Sequence, residues 1–105
     1  MAVLIIGEVK GQTQAGYDGT MAAVGEILKQ APGHILHMSH ATEDGWRVIE
    51  VWQSKAEATQ WFATYVAPNL PPGVRPRRTF YTLHNLLTSE AVRLALDEAA
   101  LLTRE

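Results

Sequence analysis

The residue most out of place in this sequence is Glu50, an acid inside the apolar run Val48, Ile49, Glu50, Val51, Trp52. A carboxylate in such a setting needs either a partner or a bound proton. Two histidines are placed to be that partner or to move protons themselves: His37, near the middle of a β-rich segment, and His84, beside Asn85 in a later one. An imidazole titrates near neutrality and can take a proton from a phenol or an acidic C–H. His37, Glu50 and His84 are therefore the catalytic candidates, each with a structural alternative: a hydrogen-bonded histidine in a sheet or interface, and an acid neutralised by Arg47 or by an arginine of a second subunit. Trp61, Tyr65, Tyr17 and Tyr81 supply aromatic faces, three of them with polar tips, that suit a site for a planar organic substrate and suit a packed core equally well.

Other chemistry finds less support. His34, His37 and His40 are spaced by three in an expected strand, so His37 should face away from the other two. His34 and His40 would then stand about 20 Å apart at roughly 3.3 Å per residue, too far for one metal ion. No metal site is expected. Three of the nine basic residues, Arg75, Arg77 and Arg78, cluster in a Pro-rich connection. Such a group can attract a carboxylate or phosphate, but without interleaved aromatics it reads as a solvated loop. No Gly-rich phosphate loop, Ser-His-Asp order or paired-carboxylate motif is present.

Composition narrows the field further. At 105 residues one domain is expected, with a core over residues 2–87. A net charge of -2 gives no basic field for nucleic acid or an anionic membrane surface. The absence of cysteine removes disulfides and thiol chemistry and fits a reducing compartment, so the cytoplasm is the expected location. The apolar start is closed by Glu8 and Lys10, short of membrane-spanning or signal-peptide length, and reads as a strand.

The elements that must position these residues follow from periodicity. Ala2–Val9 is a Val/Leu/Ile-rich strand suited to burial on both faces. Thr13 caps a helix from Gln14 to about Gln30 with Tyr17, Met21, Val24 and Leu28 at helical spacing, ended by Ala31, Pro32 and Gly33. His34–Thr42 and Trp46–Gln53 form a hairpin around Glu43, Asp44 and Gly45. A two-residue turn would set Glu50 opposite Ser39 and diagonal to His37; a three-residue turn would set it opposite Met38. Ser54 and Glu57 make a capping box for a second helix carrying Ala58, Trp61, Phe62, Tyr65 and Val66 at i, i+3, i+4, i+7, i+8. Arg78–Leu87 is a fourth strand, and a helix over 89–102 follows. The order β, α, β, β, α, β, α predicts a ferredoxin-like α+β domain with an extra C-terminal helix. Its two helices cover one sheet face; the other needs a second copy of the chain, so a homodimer is expected.

The strand-to-helix junction Val48, Ile49, Glu50, Val51, Trp52, Gln53, Ser54, Lys55, Ala56, Glu57, Ala58, with Pro32 and Gly33 before the second strand, resembles the dimeric α+β barrel superfamily and its antibiotic biosynthesis monooxygenase-like branch. The resemblance covers roughly residues 2–87 and implies a pocket between sheet and helices for a hydrophobic or aromatic small molecule. Some such relatives oxygenate polycyclic phenols without metal or flavin, which implies no cofactor; others oxidise haem with a Trp on the second helix, an Asn on the first strand and a His near the second helix's end. Trp61 matches the first of these. The first strand reads Ile5, Ile6, Gly7, Glu8 and the later segment Ala67, Pro68, Asn69, Leu70, Pro71, so the Asn and His are missing. The expected function is thus a cofactor-independent, monooxygenase-like enzyme. The alternatives are a non-catalytic ligand-binding or sensing domain, and an isomerase or cyclase on the same site.

Overall fold

The computed structural model describes residues 1–92 and 94. It contains β1 (Val3–Lys10), α1 (Gln14–Leu28), β2 (His34–Ala41), β3 (Gly45–Trp52), α2 (Lys55–Trp61) and β4 (Arg77–Thr82). The strands form one antiparallel sheet in the order β2-β3-β1-β4, the ferredoxin-like arrangement. Both helix starts use the caps read from sequence: Thr13 Oγ1 accepts from Gly16 N–H at 3.0 Å, and Ser54 Oγ accepts from Glu57 N–H at 3.2 Å while donating to Glu57 Oε1 at 2.8 Å. The helix expected over 89–102 begins with residues 90–92 in helical conformation, Ser89 Oγ accepting from Val92 N–H; the rest of it lies outside the described residues. Among the described residues no helix is long and apolar enough to cross a membrane.

The core lies on the sheet face that meets the helices, where Val3, Ile5, Trp52, Val24, Leu28, Ala58 and Trp61 pack together. β1 alternates between buried and half-buried residues instead of being buried on both faces, because Leu4 and Ile6 point to the sheet's outer face, away from α1 and α2.

Three local features depart from the sequence reading, each for a physical reason. First, the hairpin loop is Glu43–Asp44, with Thr42 N–H bonding Gly45 carbonyl at 2.9 Å. Gly45 is drawn into β3 opposite Lys10, where a Cβ would run into the Val9 carbonyl and the backbone at Gly11 and Lys10. The resulting register sets His37 directly opposite Glu50, which neither expected turn gave. Second, the β2–β3 register shifts between His34 and Leu36, a bulge that absorbs Ile35. His34 opposite Trp52 and His37 opposite Glu50 consequently share the inner face, correcting the expectation that they oppose each other. Third, β4 ends at Thr82, not Leu87, because β1, its one partner among the described residues, begins at Val3; the last bond is Leu83 N–H to the Ala2 carbonyl.

The second helix also changes form. From Phe62 to Val66 it widens into a π-helical turn, with Ala67 N–H bonding the Phe62 carbonyl. Pro68 has no N–H to continue an α-helical ladder and its ring would crowd the Thr64 carbonyl, which accounts for the wider turn. The extra residue per turn keeps Phe62 and Val66 inward and leaves Tyr65 37% exposed.

Two stability predictions follow from this packing. Gly45→Ala should destabilise the fold by about 1–3 kcal/mol, since β1 backbone must move to admit the methyl group; urea unfolding measures it, and an unchanged midpoint contradicts the assigned contact. His34 sits edge-on to Trp52 at 5.1 Å, and burial holds its imidazole below the ordinary 6.5 against the opposing pull of Glu50. The unfolded chain therefore takes up a proton that the folded chain refuses, so stability should fall as pH drops below about 6.5. His34→Gln should lessen that fall; equal slopes for the two proteins would contradict it.

Candidate functional site

Strand alternation sends Gly7 and Val9 of β1, Trp46, Val48 and Glu50 of β3, His37 of β2 and Arg78 of β4 toward the helices. Together with Tyr17 and Met21 of α1 and Trp61 and Phe62 at the end of α2, they line a partly open, mainly apolar cavity. Gly7 leaves its floor open, since a Cβ there would meet only ordinary contacts near 4 Å. The cavity measures about 80 Å³, room for a handful of waters at the ~10–15 Å³ each requires. A ligand of two or more rings enters only if lining side chains move, and the unbranched Met21 is suited to that.

Glu50 is buried in this wall, 8% exposed, and both of its oxygens are engaged. Oε2 lies 2.7 Å from His37 Nδ1, and Oε1 accepts from Trp52 Nε1–H at 3.2 Å. A carboxylate only accepts, so Nδ1 carries the hydrogen in this pair and Nε2 of the neutral ring is an acceptor. Nε2 stands 2.5 Å from Tyr17 Oη. The result is a continuous chain from Trp52 through Glu50 and His37 to Tyr17, connecting β3, β2 and α1. Burial raises Tyr17 above its ordinary 10.0, opposed by a hydrogen bond with Ser39 and reinforced by Glu50 and Asp18, so its phenol stays protonated at neutral pH.

Arg78 is a cavity residue that the sequence reading assigned to a solvated loop. It lies in β4 between Thr79 and Arg77, facing inward opposite Gly7, with its guanidinium over the rings of Phe62 at 4.2 Å and Phe80 at 5.0 Å. Burial lowers its pKa while Glu50 opposes that; as an arginine it remains charged. Trp46 was missed as well, although its place two residues from Val48 and four from Glu50 puts it on the same strand face; its ring stacks on Tyr17 at 5.3 Å.

Of the residues singled out from sequence, Tyr17, His37, Glu50 and Trp61 meet at the cavity. Trp61 is 4% exposed and packs among core residues, with Trp52 at 6.2 Å and Tyr65 at 4.7 Å, so it serves as both core and wall. The other three lie elsewhere. Tyr65 is turned to an open groove between the helices by the π-helical turn, Tyr81 is 51% exposed on the outer sheet face, and His84 is exposed beyond the end of β4. Among the described residues no three His, Asp or Glu side chains gather as metal ligands.

No family model matches the sequence and no curated protein is similar to it. Solved structures do share its fold. One is SnoaB, a cofactor-independent oxygenase from Streptomyces nogalater, at 14% identity and a TM-score of 0.64 over 84% of this chain and 98% of that one. A proposed antibiotic biosynthesis monooxygenase from Deinococcus radiodurans matches at 14% identity and a TM-score of 0.60 over 85% and 98%. A proposed monooxygenase from Shewanella loihica PV-4 matches at 17% identity and a TM-score of 0.57 over 81% and 96%. The chain has the ferredoxin-like α+β fold of antibiotic biosynthesis monooxygenase-like structures.

Proposed function

We propose that this protein is a small-molecule enzyme that deprotonates a hydrophobic phenol in the cavity between sheet and helices, so that the resulting electron-rich anion reacts with oxygen. The observation that carries this reading is the buried Glu50–His37 pair ending at a mainly apolar cavity. In this role His37 is the proton acceptor, and Glu50 positions its ring and stabilises the imidazolium that forms. Arg78 supplies a fixed positive charge on the same cavity wall, where an anionic intermediate gains most from it. With 1-naphthol as an example, the O–H bond breaks and its electron pair stays on oxygen. Molecular oxygen then oxidises the ring to 1,4-naphthoquinone, one oxygen atom entering the product and the other leaving as water with the two hydrogens lost. The substrate supplies the electrons, so the residues present suffice in kind. The fold shared with a cofactor-independent oxygenase supports the reading at the level of architecture.

A second copy of the chain is proposed to cover the outer sheet face. Leu36, Met38 and Tyr81 are 41%, 47% and 51% exposed there, next to the half-buried Leu4, Ile6 and Ile49, an apolar surface of the kind that pairs.

Oxygen uptake with a set of naphthols tests the activity. Chelator-treated protein should consume oxygen, and His37→Ala should lower kcat/KM about 100-fold. Quenching of the tryptophan fluorescence without oxygen uptake would instead identify a ligand-binding domain. For the assembly, light scattering at micromolar concentration should give a dimer that Met38→Lys converts to monomer; a monomeric parent protein would remove the proposal.

A further inference from the structure

A base must touch the proton it removes, and His37 has no nitrogen left to do so. Its Nδ1 is held by Glu50 Oε2 at 2.7 Å and its Nε2 by Tyr17 Oη at 2.5 Å. Tyr17, in contrast, keeps free valence. A phenol oxygen has one hydrogen and two lone pairs; the hydrogen is directed to Nε2 and the Ser39 hydroxyl engages one lone pair, which leaves the other on a side chain that lines the cavity. We propose that Tyr17 Oη is the atom that receives the substrate's proton, passing its own phenolic proton to His37 Nε2 in the same event. The proposal rests on the deprotonating function described above and changes which residue meets the substrate.

The step balances without any further reagent. The substrate O–H bond breaks and its electron pair stays on the substrate oxygen; a new O–H bond forms on Tyr17. The former Tyr17 O–H bond breaks and an N–H bond forms on Nε2. Neutral tyrosine, neutral imidazole and carboxylate become neutral tyrosine, imidazolium and carboxylate, beside a substrate anion. The new positive charge arises next to Glu50, and Trp52 Nε1–H holds the second carboxylate oxygen in place. Tyr17 is itself held: its ring stacks on Trp46 at an interplanar angle of 27° and its hydroxyl is tied to His37 Nε2, so Oη is aimed by packing on one face and a hydrogen bond at its tip. Because burial keeps this phenol protonated, a standing tyrosinate is not the base, and the two transfers must be coupled. This makes Tyr17 a catalytic residue and His37 the acceptor behind it.

The test is a solvent deuterium proton inventory of kcat with 1-naphthol, in the wild-type protein and Tyr17→Phe. Two coupled protons give a curved dependence on deuterium fraction in the wild type. Tyr17→Phe should lower kcat about 10-fold or more, with KM changed less, and give a linear dependence. Site-specific 3-fluorotyrosine at position 17 preserves the shape and weakens the basicity of the phenol oxygen. It should change kcat while KM stays within about two-fold. A linear inventory in an active wild type, or kcat unaffected by both substitutions, overturns the relay and leaves the His37–Glu50 function standing. A wild type with no turnover overturns both.

Discussion

The constraint on which the site depends is the desolvation of one carboxylate. Glu50 is flanked by Val48, Ile49, Val51 and Trp52 in β3 and is buried in the structure. An isolated buried anion is too costly to persist, so its two oxygens must be answered from within. Trp52, two residues along the same strand face, answers one; His37, directly across the β2–β3 ladder, answers the other. Cross-strand pairing in the register observed is what brings His37 there. A slip of one residue would replace it by Met38 or Leu36 and leave the charge bare. Register, tautomer and cavity chemistry are thus bound together: Glu50 fixes the hydrogen on Nδ1, and that in turn makes Nε2 an acceptor for the only phenol on α1.

Much of the architecture was readable before the structure. Element order, both N-caps and the helix-to-strand boundaries follow from turn residues and apolar period, because they depend on local interactions. What was hidden depends on contacts distant in sequence. The register is hidden because Gly45 carries the Asp-Gly turn signal, whereas its lack of a side chain serves the close approach of β1. The bulge at Ile35 carries no Gly or Pro, so nothing local announces that His34 and His37 share a face. Arg78 was read with its neighbours Arg75 and Arg77 as one basic loop. Strand alternation separates them once β4 is known to begin at Arg77. Tyr65 was lost from the cavity through one absent N–H, that of Pro68, which turns the regular helical spacing into a π-helical turn.

The comparison with solved structures divides fold from chemistry. Architecture is shared with a cofactor-independent oxygenase at 14% identity, and a shared fold leaves the site to be argued from its own residues. Here those residues form a Trp–Glu–His–Tyr chain. The Asn and His of the haem-oxidising pattern are missing from β1 and from the segment after α2. Trp61, the one residue the resemblance pointed to, is part of the core as much as of the wall.

The hydrogen on His37 is where this account is most exposed. Nitrogen-15 NMR of the histidine-labelled protein reads it directly, through the one-bond N–H coupling and the shifts of the two ring nitrogens. The account predicts a neutral ring with the hydrogen on Nδ1 and Nε2 accepting in the free protein, converting to imidazolium when a naphthol binds. A free protein with the hydrogen on Nε2, or a ring indifferent to the bound phenol, would contradict it.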